Sequence, residues 1–166
     1  MKILISGASG LIGSALVPYL ESQGHTAVRL VRDRSKQGVF WDPPAGIIEL
    51  PPDVDIEAVI NLSGENIAEG RWTKRRKESI LSSRIDTTSL LARTVAEQNP
   101  GLKAFISASG IGLYGNSGDV IINEDSPKGD GFLAGVSRDW EACALPAQQA
   151  GIRVVYLRIS PVLSSE

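Results

Sequence analysis

The chain has 166 residues, of which 42% are hydrophobic and 22% are charged, a composition typical of one globular domain with its own core. Its formal net charge of −2 gives no general indication of nucleic acid or an acidic membrane as a partner. A single cysteine and a single histidine exclude an internal disulfide framework and a metal site built from Cys or His ligands.

The N-terminal segment has only a superficial likeness to a secretion signal. Met1 and Lys2 precede a run of apolar residues, but Gly7, Gly10 and Gly13 interrupt that run. No apolar stretch of the sequence approaches the length of a membrane span. The segment is therefore interpreted as a strand and a turn, and we expect a cytoplasmic protein.

Apolar runs and helical periodicities alternate along the chain. The first half is predicted to contain a strand at Lys2 to Ser6, a helix at Leu11 to Gln23, a strand at Thr26 to Val31, a hairpin or irregular segment at Val39 to Pro52 and a strand at Asp55 to Leu62. The second half is predicted to contain a helix at Lys77 to Glu97, a strand at Leu102 to Ala108, a glycine-rich loop at Gly110 to Gly131, a largely helical segment at Phe132 to Gln149 and a strand at Ile152 to Ile159. Short apolar strands separated by amphipathic helices predict an α/β fold with a doubly wound parallel sheet, covered on both faces.

The last predicted strand is strongly apolar and lies within a few residues of the end of the chain. A doubly wound sheet normally has helices or a second domain against such an edge, because an exposed strand edge promotes association. We therefore expect the chain to be a truncated piece of a longer protein. The alternative is a homo-oligomer, in which another copy covers the exposed surface.

A glycine-rich loop, residues 7–13, links the first predicted strand to the first helix. Gly7 allows a tight turn out of the strand, Gly10 lets backbone N–H groups approach a diphosphate, and Gly13 lets the helix pack closely on the sheet. The start of the helix adds unpaired N–H groups and a positive dipole. The loop therefore predicts a dinucleotide site, and a glycine turn without a ligand is the alternative. The residues predicted to bind the cofactor here are Gly7, Ser9, Gly10, Leu11, Ile12 and Gly13.

The GxxGxxG spacing of this loop resembles that of the short-chain dehydrogenase/reductase superfamily, in particular its extended branch of nucleotide-sugar epimerases and dehydratases. Three further segments are similar to an atypical group of that branch, the NAD-dependent epimerase/dehydratase-like epimerase family proteins. They are Val59 to Ile67, Arg71-Trp72-Thr73 followed by Lys77, Ile80, Ser83 and Arg84, and Ser107 to Gly115. The resemblance implies an NAD(P)-binding Rossmann domain over residues 1–166, with a C-terminal substrate-binding lobe absent or cut short. It also implies oxidoreductase or epimerase chemistry on a small molecule, such as a nucleotide-sugar or a carbonyl compound.

The end of the second strand indicates which dinucleotide is bound. An NAD site places an acidic residue there to accept hydrogen bonds from the ribose hydroxyls. This strand is followed by Arg32, and Asp33 lies between Arg32 and Arg34. A guanidinium at Arg32 can stack on adenine and pair with a 2′-phosphate, so we predict NADP(H) in preference to NAD(H). The alternative is an ordinary solvated basic turn.

The resemblance also places cofactor-binding residues after the next two strands. It implies that Leu62, Ser63 and Gly64 lie along the ribose and diphosphate, and that Ser107 and Ser109 lie near the nicotinamide. These positions are at the carboxyl ends of strands, where an open parallel sheet binds its ligands. Local capping of the strand end is the alternative role of both serines.

The catalytic pattern of the extended branch is not preserved in this chain. The branch uses a Tyr-x-x-x-Lys pair and a Ser or Thr, and the lysine lowers the pKa of the tyrosine. Alignment places Ala134 at the tyrosine and Arg138 at the lysine, and the serine position falls on Gly110. Tyr114 and Ser109 are therefore the predicted catalytic residues. Packing of the Tyr114 ring under the loop is the alternative.

Two functional hypotheses remain open. The first is an NADP(H)-dependent oxidoreductase or epimerase with a nonstandard proton donor and a small-molecule substrate. The second is a catalytically silent NADP(H)-binding sensor or scaffold, which the missing tyrosine and lysine favour. Other groups capable of acid–base work in the same region are Glu65, Glu124 and Asp130.

Residues 71–77 form a basic run with five positive charges and Trp72. Such a run can bind nucleic-acid phosphates and stack a base. In the alternative, Thr73 caps a helix and the basic side chains are solvated on its first turn. We expect this second role, with neither nucleic acid nor a membrane as a partner, because one short patch on a net acidic domain gives little affinity for phosphates.

Overall fold

A computed structural model describes residues 1–52, 54–98 and 101–164. Its strands are β1 (Lys2–Ser6), β2 (Thr26–Val31), β3 (Val39–Asp42), β4 (Ile47–Ile48), β5 (Ala58–Asn61), β6 (Ala104–Gly110) and β7 (Arg153–Ile159). Its helices are α1 (Leu11–Ser22), α2 (Lys74–Gln98), α3 (Phe132–Ala142) and α4 (Leu145–Gln149), with a short 3₁₀ helix at Ile111–Tyr114. Within the described ranges, the strands form one sheet in the order β4-β3-β2-β1-β5-β6-β7. The neighbouring strands are parallel except β3 and β4, which are antiparallel.

The centre of the sheet is buried on both faces. Leu4 of β1 pairs in register with Val59 of β5, and both belong to the same core as Leu91 of α2. Ile3, the neighbour of Leu4, points to the opposite face and belongs to the same core as Val17 of α1. A strand buried on both faces needs an apolar run rather than an alternating pattern. The prediction of a doubly wound parallel sheet is confirmed.

The direction in which the chain winds reverses between β1 and β5. From β1 the chain passes through α1 to β2 and then to β3 on one side of the sheet. It then returns to β5 and passes through α2 to β6, and through α3 and α4 to β7, on the other side. The connections that follow β1 and β5 therefore leave in opposite directions, which opens a ligand-binding crevice at the carboxyl ends of these strands.

The longest helix, α2, begins at Lys74, three residues before the predicted start. The reason is the cap: the Thr73 Oγ1 accepts a hydrogen bond from the backbone N–H of Arg76 at 3.2 Å. The interpretation of Thr73 as a helix cap is therefore confirmed. Among the helices of the described ranges, none is both long and apolar enough to cross a membrane.

The segment predicted as largely helical, Phe132 to Gln149, consists of two helices, α3 and α4. Pro146 lies in the first turn of α4. A proline is tolerated there because the N–H that it lacks would have no partner within the helix. The segment predicted as a hairpin or an irregular segment, Val39 to Pro52, contains the antiparallel pair β3 and β4, with Trp41 opposite Ile48.

Candidate functional site

Two adjoining cavities occupy the crevice at the carboxyl ends of β1, β2 and β5. Their volumes are about 640 and 590 Å³, which is the usual range for a small-molecule or cofactor site. Five residues line both cavities: Gly7, Ser9, Arg32, Trp41 and Ser63. The glycine loop, the end of β2 and the end of β5 therefore converge on one site.

The glycines at the two ends of the loop are required by close backbone approaches. Gly7 has a φ of +69°, and a Cβ there would lie 2.8 Å from the carbonyl carbon of Leu62. A Cβ on Gly13 would lie only 2.2 Å from the Gly7 carbonyl oxygen and 2.7 Å from the Ala8 Cα. Gly7 thus makes the turn and Gly13 the close packing, which are the functions that the sequence predicts for them.

The middle of the glycine loop provides no side-chain cap for the backbone amides at the start of α1. The first intrahelical bond runs from the Ser14 N–H to the Gly10 carbonyl at 2.8 Å, so the amides of Leu11, Ile12 and Gly13 precede it. The helix has no side-chain cap and no acidic residue in its first turn. Its free amides and positive dipole therefore fit the phosphates of a dinucleotide. Gly7, Ser9 and Gly10 line the cavities, whereas Leu11, Ile12 and Gly13 line neither.

Arg32 lies in the wall of the crevice. It lines both cavities, and Lys36 lines the first. Arg34 is held elsewhere, by two hydrogen bonds of 2.9 and 2.7 Å to the Glu49 carboxylate. Asp33 accepts bonds from the backbone and hydroxyl of Ser35, which lower its pKa. In the described part of the chain no ion pair involves Arg32.

The residues after β5 form the second wall of the crevice. Leu62, Ser63 and Gly64 all line the second cavity, together with hydroxyl-bearing residues of α2 such as Ser83 and Thr87. The predicted cofactor-binding residues of this segment are therefore brought together with the glycine loop.

A buried polar network lies beneath this wall. The Asn61 Oδ1 accepts a hydrogen bond from the Ser6 hydroxyl at 2.6 Å and from the Ser63 N–H at 3.3 Å. The Asn61 Nδ2 donates to the Thr88 Oγ1 at 2.7 Å, and the Trp140 indole N–H donates to the same oxygen at 2.8 Å. These hydrogen bonds connect the ends of β1 and β5 to α2 and α3. They also give the buried polar side chains their hydrogen-bond partners.

Ser107 belongs to this network rather than to the lining of either cavity. Its side chain is buried. The hydroxyl donates to the Ala108 carbonyl at 3.1 Å and accepts a longer bond of 3.4 Å from the Asn61 Nδ2. The structure places Ser107 opposite Asn61 at the end of β5, one strand further from the glycine loop.

Ser109 and Tyr114 contact the two ends of one ion pair, in which Glu141 is buried and Arg158 is partly buried. The Ser109 hydroxyl donates to the Glu141 Oε1 at 2.8 Å, and the Tyr114 hydroxyl accepts from the Arg158 Nη1 at 2.6 Å. The Arg158 Nε and Nη2 donate to the two oxygens of Glu141 at 2.9 and 3.1 Å. These bonds to Glu141 raise the pKa of Arg158. Neither Ser109 nor Tyr114 lines the two cavities.

Glu141 and Arg158 are the residues that the sequence interpretation missed. Each shares its predicted segment with other charged residues, since Phe132 to Gln149 also contains Arg138 and Asp139 and Ile152 to Ile159 also contains Arg153. A charge that folding buries needs a partner, because an unpaired buried charge is strongly unfavourable. The sequence does not show which of these charges becomes buried or which pairs with which.

The face of α3 that is turned towards β6 carries neither a tyrosine nor a lysine. Arg138, which the alignment places at the lysine position, is exposed, and Ala134 is buried. Ser137 is the residue beside the end of β6, since a Cβ on Gly110 would lie 3.6 Å from its hydroxyl. Of the two aligned residues, Arg138 therefore carries its positive charge on an exposed side chain, and Ala134 has no ionisable group.

One residue of the basic run, Arg76, forms hydrogen bonds with the loop after β5. Arg76 donates hydrogen bonds to the Glu65 carboxylate and to the Asn66 carbonyl, and the Ser79 hydroxyl donates to the same carboxylate. The Glu65 N–H in turn donates to the Ser83 hydroxyl at 3.1 Å. These bonds attach the loop to the first three turns of α2.

Comparison with known proteins gives relatives over nearly the whole chain. The NAD dependent epimerase/dehydratase family model matches residues 3–166. An epimerase family protein of Mycobacterium leprae is 40% identical over 166 residues, which cover 99% of this chain and 53% of that protein. The chain therefore spans about half the length of the curated relatives that it matches.

Two solved structures are similar in both fold and sequence. The human epimerase family protein SDR39U1, solved with NADPH, has a TM-score of 0.84 and 32% identity, over 95% of this chain and 53% of that chain. A nucleoside-diphosphate sugar epimerase from Corynebacterium glutamicum has a TM-score of 0.79 and 38% identity, over 95% of this chain and 33% of that chain. The glycine loop lies at a topological switch point of the sheet, and the family model matches nearly the whole chain. This chain therefore belongs to the NAD-dependent epimerase/dehydratase family.

Proposed function

We propose that the chain binds NADP(H) and forms the cofactor-binding part of an oxidoreductase- or epimerase-like protein. The observation that carries the proposal is the glycine loop, whose open helix start lies beside a cavity with Arg32 in its wall. The similar human protein was solved with NADPH, which supports the phosphorylated cofactor. When bound, this cofactor supplies a hydride donor or acceptor.

The choice of NADP(H) depends on Arg32. We expect Arg32→Ala to weaken NADPH binding about tenfold or more, because it removes charge-assisted hydrogen bonds to the 2′-phosphate. The affinity for NADH should stay nearly unchanged, since NADH lacks that phosphate. Titration of the chain with both nucleotides, followed by the enhancement of nicotinamide fluorescence, measures the two dissociation constants.

Arg34→Ala is the matched control, since the Arg34 guanidinium is already engaged by Glu49. It should leave both affinities close to those of the wild type. Equal or tighter binding of NADH by the wild-type chain would contradict the assignment of the cofactor.

For the chemical step, Tyr114 and Ser109 are the proposed catalytic residues, acting on a small-molecule substrate. We expect Tyr114→Phe to abolish NADPH turnover in assays with a panel of sugar nucleotides and carbonyl compounds, because phenylalanine has no proton to transfer. Retained NADPH affinity in the variant separates loss of chemistry from loss of binding. Turnover at the wild-type rate in Tyr114→Phe would refute the assignment.

A catalytically silent NADP(H)-binding sensor or scaffold is the second candidate function. The observation that favours it is the engagement of both candidate hydroxyls, by Glu141 and by Arg158, away from the cavity lining. NADPH binding without turnover of any compound in the panel supports this candidate. Turnover with one of them refutes it.

A further inference from the structure

A third cavity lies between the starts of α2 and α3, outside the crevice. Its volume is about 380 Å³, which is within the usual range for small-molecule sites. Among the described residues, none lines both this cavity and a cavity of the crevice. The residues that line the third cavity are Trp72, Lys74, Lys77, Glu78, Leu81 and Phe132.

The helix α2 separates the third cavity from the crevice. Residues three and four apart on a helix share a face. Lys74, Lys77 and Leu81 line the third cavity from one face of α2. Ser79 and Ser83 line the crevice from another face of the same helix. The third cavity is therefore a separate site, on the flank of α2 that lies beside α3.

An aromatic pair forms the apolar wall of this cavity. The rings of Trp72 and Phe132 meet edge to face, with their centres 5.5 Å apart and an angle of 69° between their planes. The Trp72 indole N–H donates to the Ile67 carbonyl at 2.9 Å, which fixes the orientation of the ring. Trp72 is nevertheless 40% exposed, whereas Trp41 and Trp140 are only 3% and 7% exposed. An aromatic ring that is held in place and open to solvent can stack a planar group at a small cost in entropy.

Two lysines give the same cavity a positive rim. The Lys77 Nζ lies 5.2 Å from the centre of the Phe132 ring, and Lys74 is three residues earlier on the same face of α2. Both lysines are exposed, and within the described ranges neither forms an ion pair. Glu78 also lines the cavity, so two positive charges face one negative charge. A complementary ligand combines a planar apolar ring with an anionic group.

We propose that the third cavity binds a small aromatic anion, with its ring against the aromatic pair and its charged group beside the two lysines. The cavity is smaller than either cavity of the crevice, so it suits a single ring with its charged substituent rather than a dinucleotide. The inference goes beyond the proposed NADP(H) binding and does not depend on it, because the two sites are lined by different described residues.

The test uses phenyl phosphate as the probe, with phenol and inorganic phosphate as the ring alone and the anion alone. Nuclear magnetic resonance of the ¹⁵N-labelled chain follows the indole N–H signal of Trp72, which Trp72→Phe assigns by removing it. We expect phenyl phosphate to shift this signal with a dissociation constant of about 1 mM. Phenol and inorganic phosphate should each bind at least about fivefold more weakly. The indole signal of Trp41 should not move, because Trp41 lines both cavities of the crevice and not the third cavity.

Three variants test the lining of the cavity. Lys77→Gln removes a charge beside the ring and should raise the dissociation constant for phenyl phosphate about fivefold. Phe132→Leu keeps an apolar side chain without the ring and should also weaken binding. Arg75→Gln is the control, since Arg75 is an exposed cation of the same basic run that does not line the cavity. It should leave the dissociation constant unchanged, and circular dichroism checks that all three variants are folded.

Four results would overturn the inference. Equal weakening by Arg75→Gln and Lys77→Gln would show a general attraction of anions to the basic run. Equal binding of inorganic phosphate and phenyl phosphate would remove the role of the aromatic pair. A shift of the Trp41 signal in place of the Trp72 signal would place the probe in the crevice. A Trp72 signal that moves with the concentration of the chain, and not with phenyl phosphate, would show that a second copy covers the cavity.

Discussion

Replacing Gly13 with alanine is expected to destabilise the fold by about 3 kcal/mol. The new Cβ would lie 2.2 Å from the Gly7 carbonyl oxygen and 2.7 Å from the Ala8 Cα. Both are backbone atoms, which cannot rotate away as the end of a flexible side chain can. The loop and α1 would have to separate, and that movement would also disturb the proposed phosphate-binding site. Urea denaturation followed by circular dichroism measures the free energy of unfolding.

Gly10→Ala is the matched control within the same loop. Gly10 has a φ of −80°, and the nearest atom to an added methyl group would be the Gly7 carbonyl oxygen at 3.4 Å, an ordinary contact. The fold should therefore tolerate this alanine, with a loss within about 1 kcal/mol. Because Gly10 lines the second cavity, NADPH binding should still weaken. Equal losses of stability in the two variants would contradict the close-packing role of Gly13.

Glu141→Ala is expected to destabilise the chain by about 3 kcal/mol, because it leaves the partly buried charge of Arg158 without its partner. The Glu141 side chain is only 6% exposed and accepts three hydrogen bonds, two from Arg158 and one from Ser109. Arg158 also donates to the Tyr114 hydroxyl and to the Glu124 carbonyl. The loop after β6 should therefore loosen together with the ion pair. Urea denaturation measures the loss of stability, and hydrogen exchange of the loop measures the loosening.

The Arg34–Glu49 pair provides the control for this experiment. It also has two hydrogen bonds between one guanidinium and one carboxylate, at 2.9 and 2.7 Å, but both side chains are exposed. Water and salt screen such a pair, so Glu49→Ala should leave the free energy of unfolding close to that of the wild type. If the two alanine variants were equally stable, burial would not be the source of the effect at Glu141.

Much of the fold is predictable because local signals determine it. The bounds of β1 and β2 follow from short apolar runs that end at glycines or at charged residues. Gly7 and Gly13 are assigned their functions correctly because a tight turn and a close helix approach each require a residue without a side chain. The start of α2 is misplaced by three residues because the apolar periodicity begins later than the Thr73 cap.

The remainder of the site depends on contacts between distant parts of the chain. Arg158 meets Glu141 and Tyr114 across 17 and 44 residues. Arg84 contacts an indole on another helix and the backbone of Gly64. No local pattern specifies such pairings, because they follow from how α2 and α3 pack on the sheet. Sequence reasoning thus identifies the glycine loop and its close packing but not the positions of the charges around it.

The network of Ser6, Asn61, Thr88 and Trp140 has a consequence for how this protein can evolve. Each side chain satisfies the hydrogen-bonding groups of another, and all four are buried. Their substitutions will therefore show strong epistasis, since the effects of mutations at contacting polar residues are not additive. Divergent relatives should exchange these four residues as a set, and a single exchange should be harmful until its partners follow.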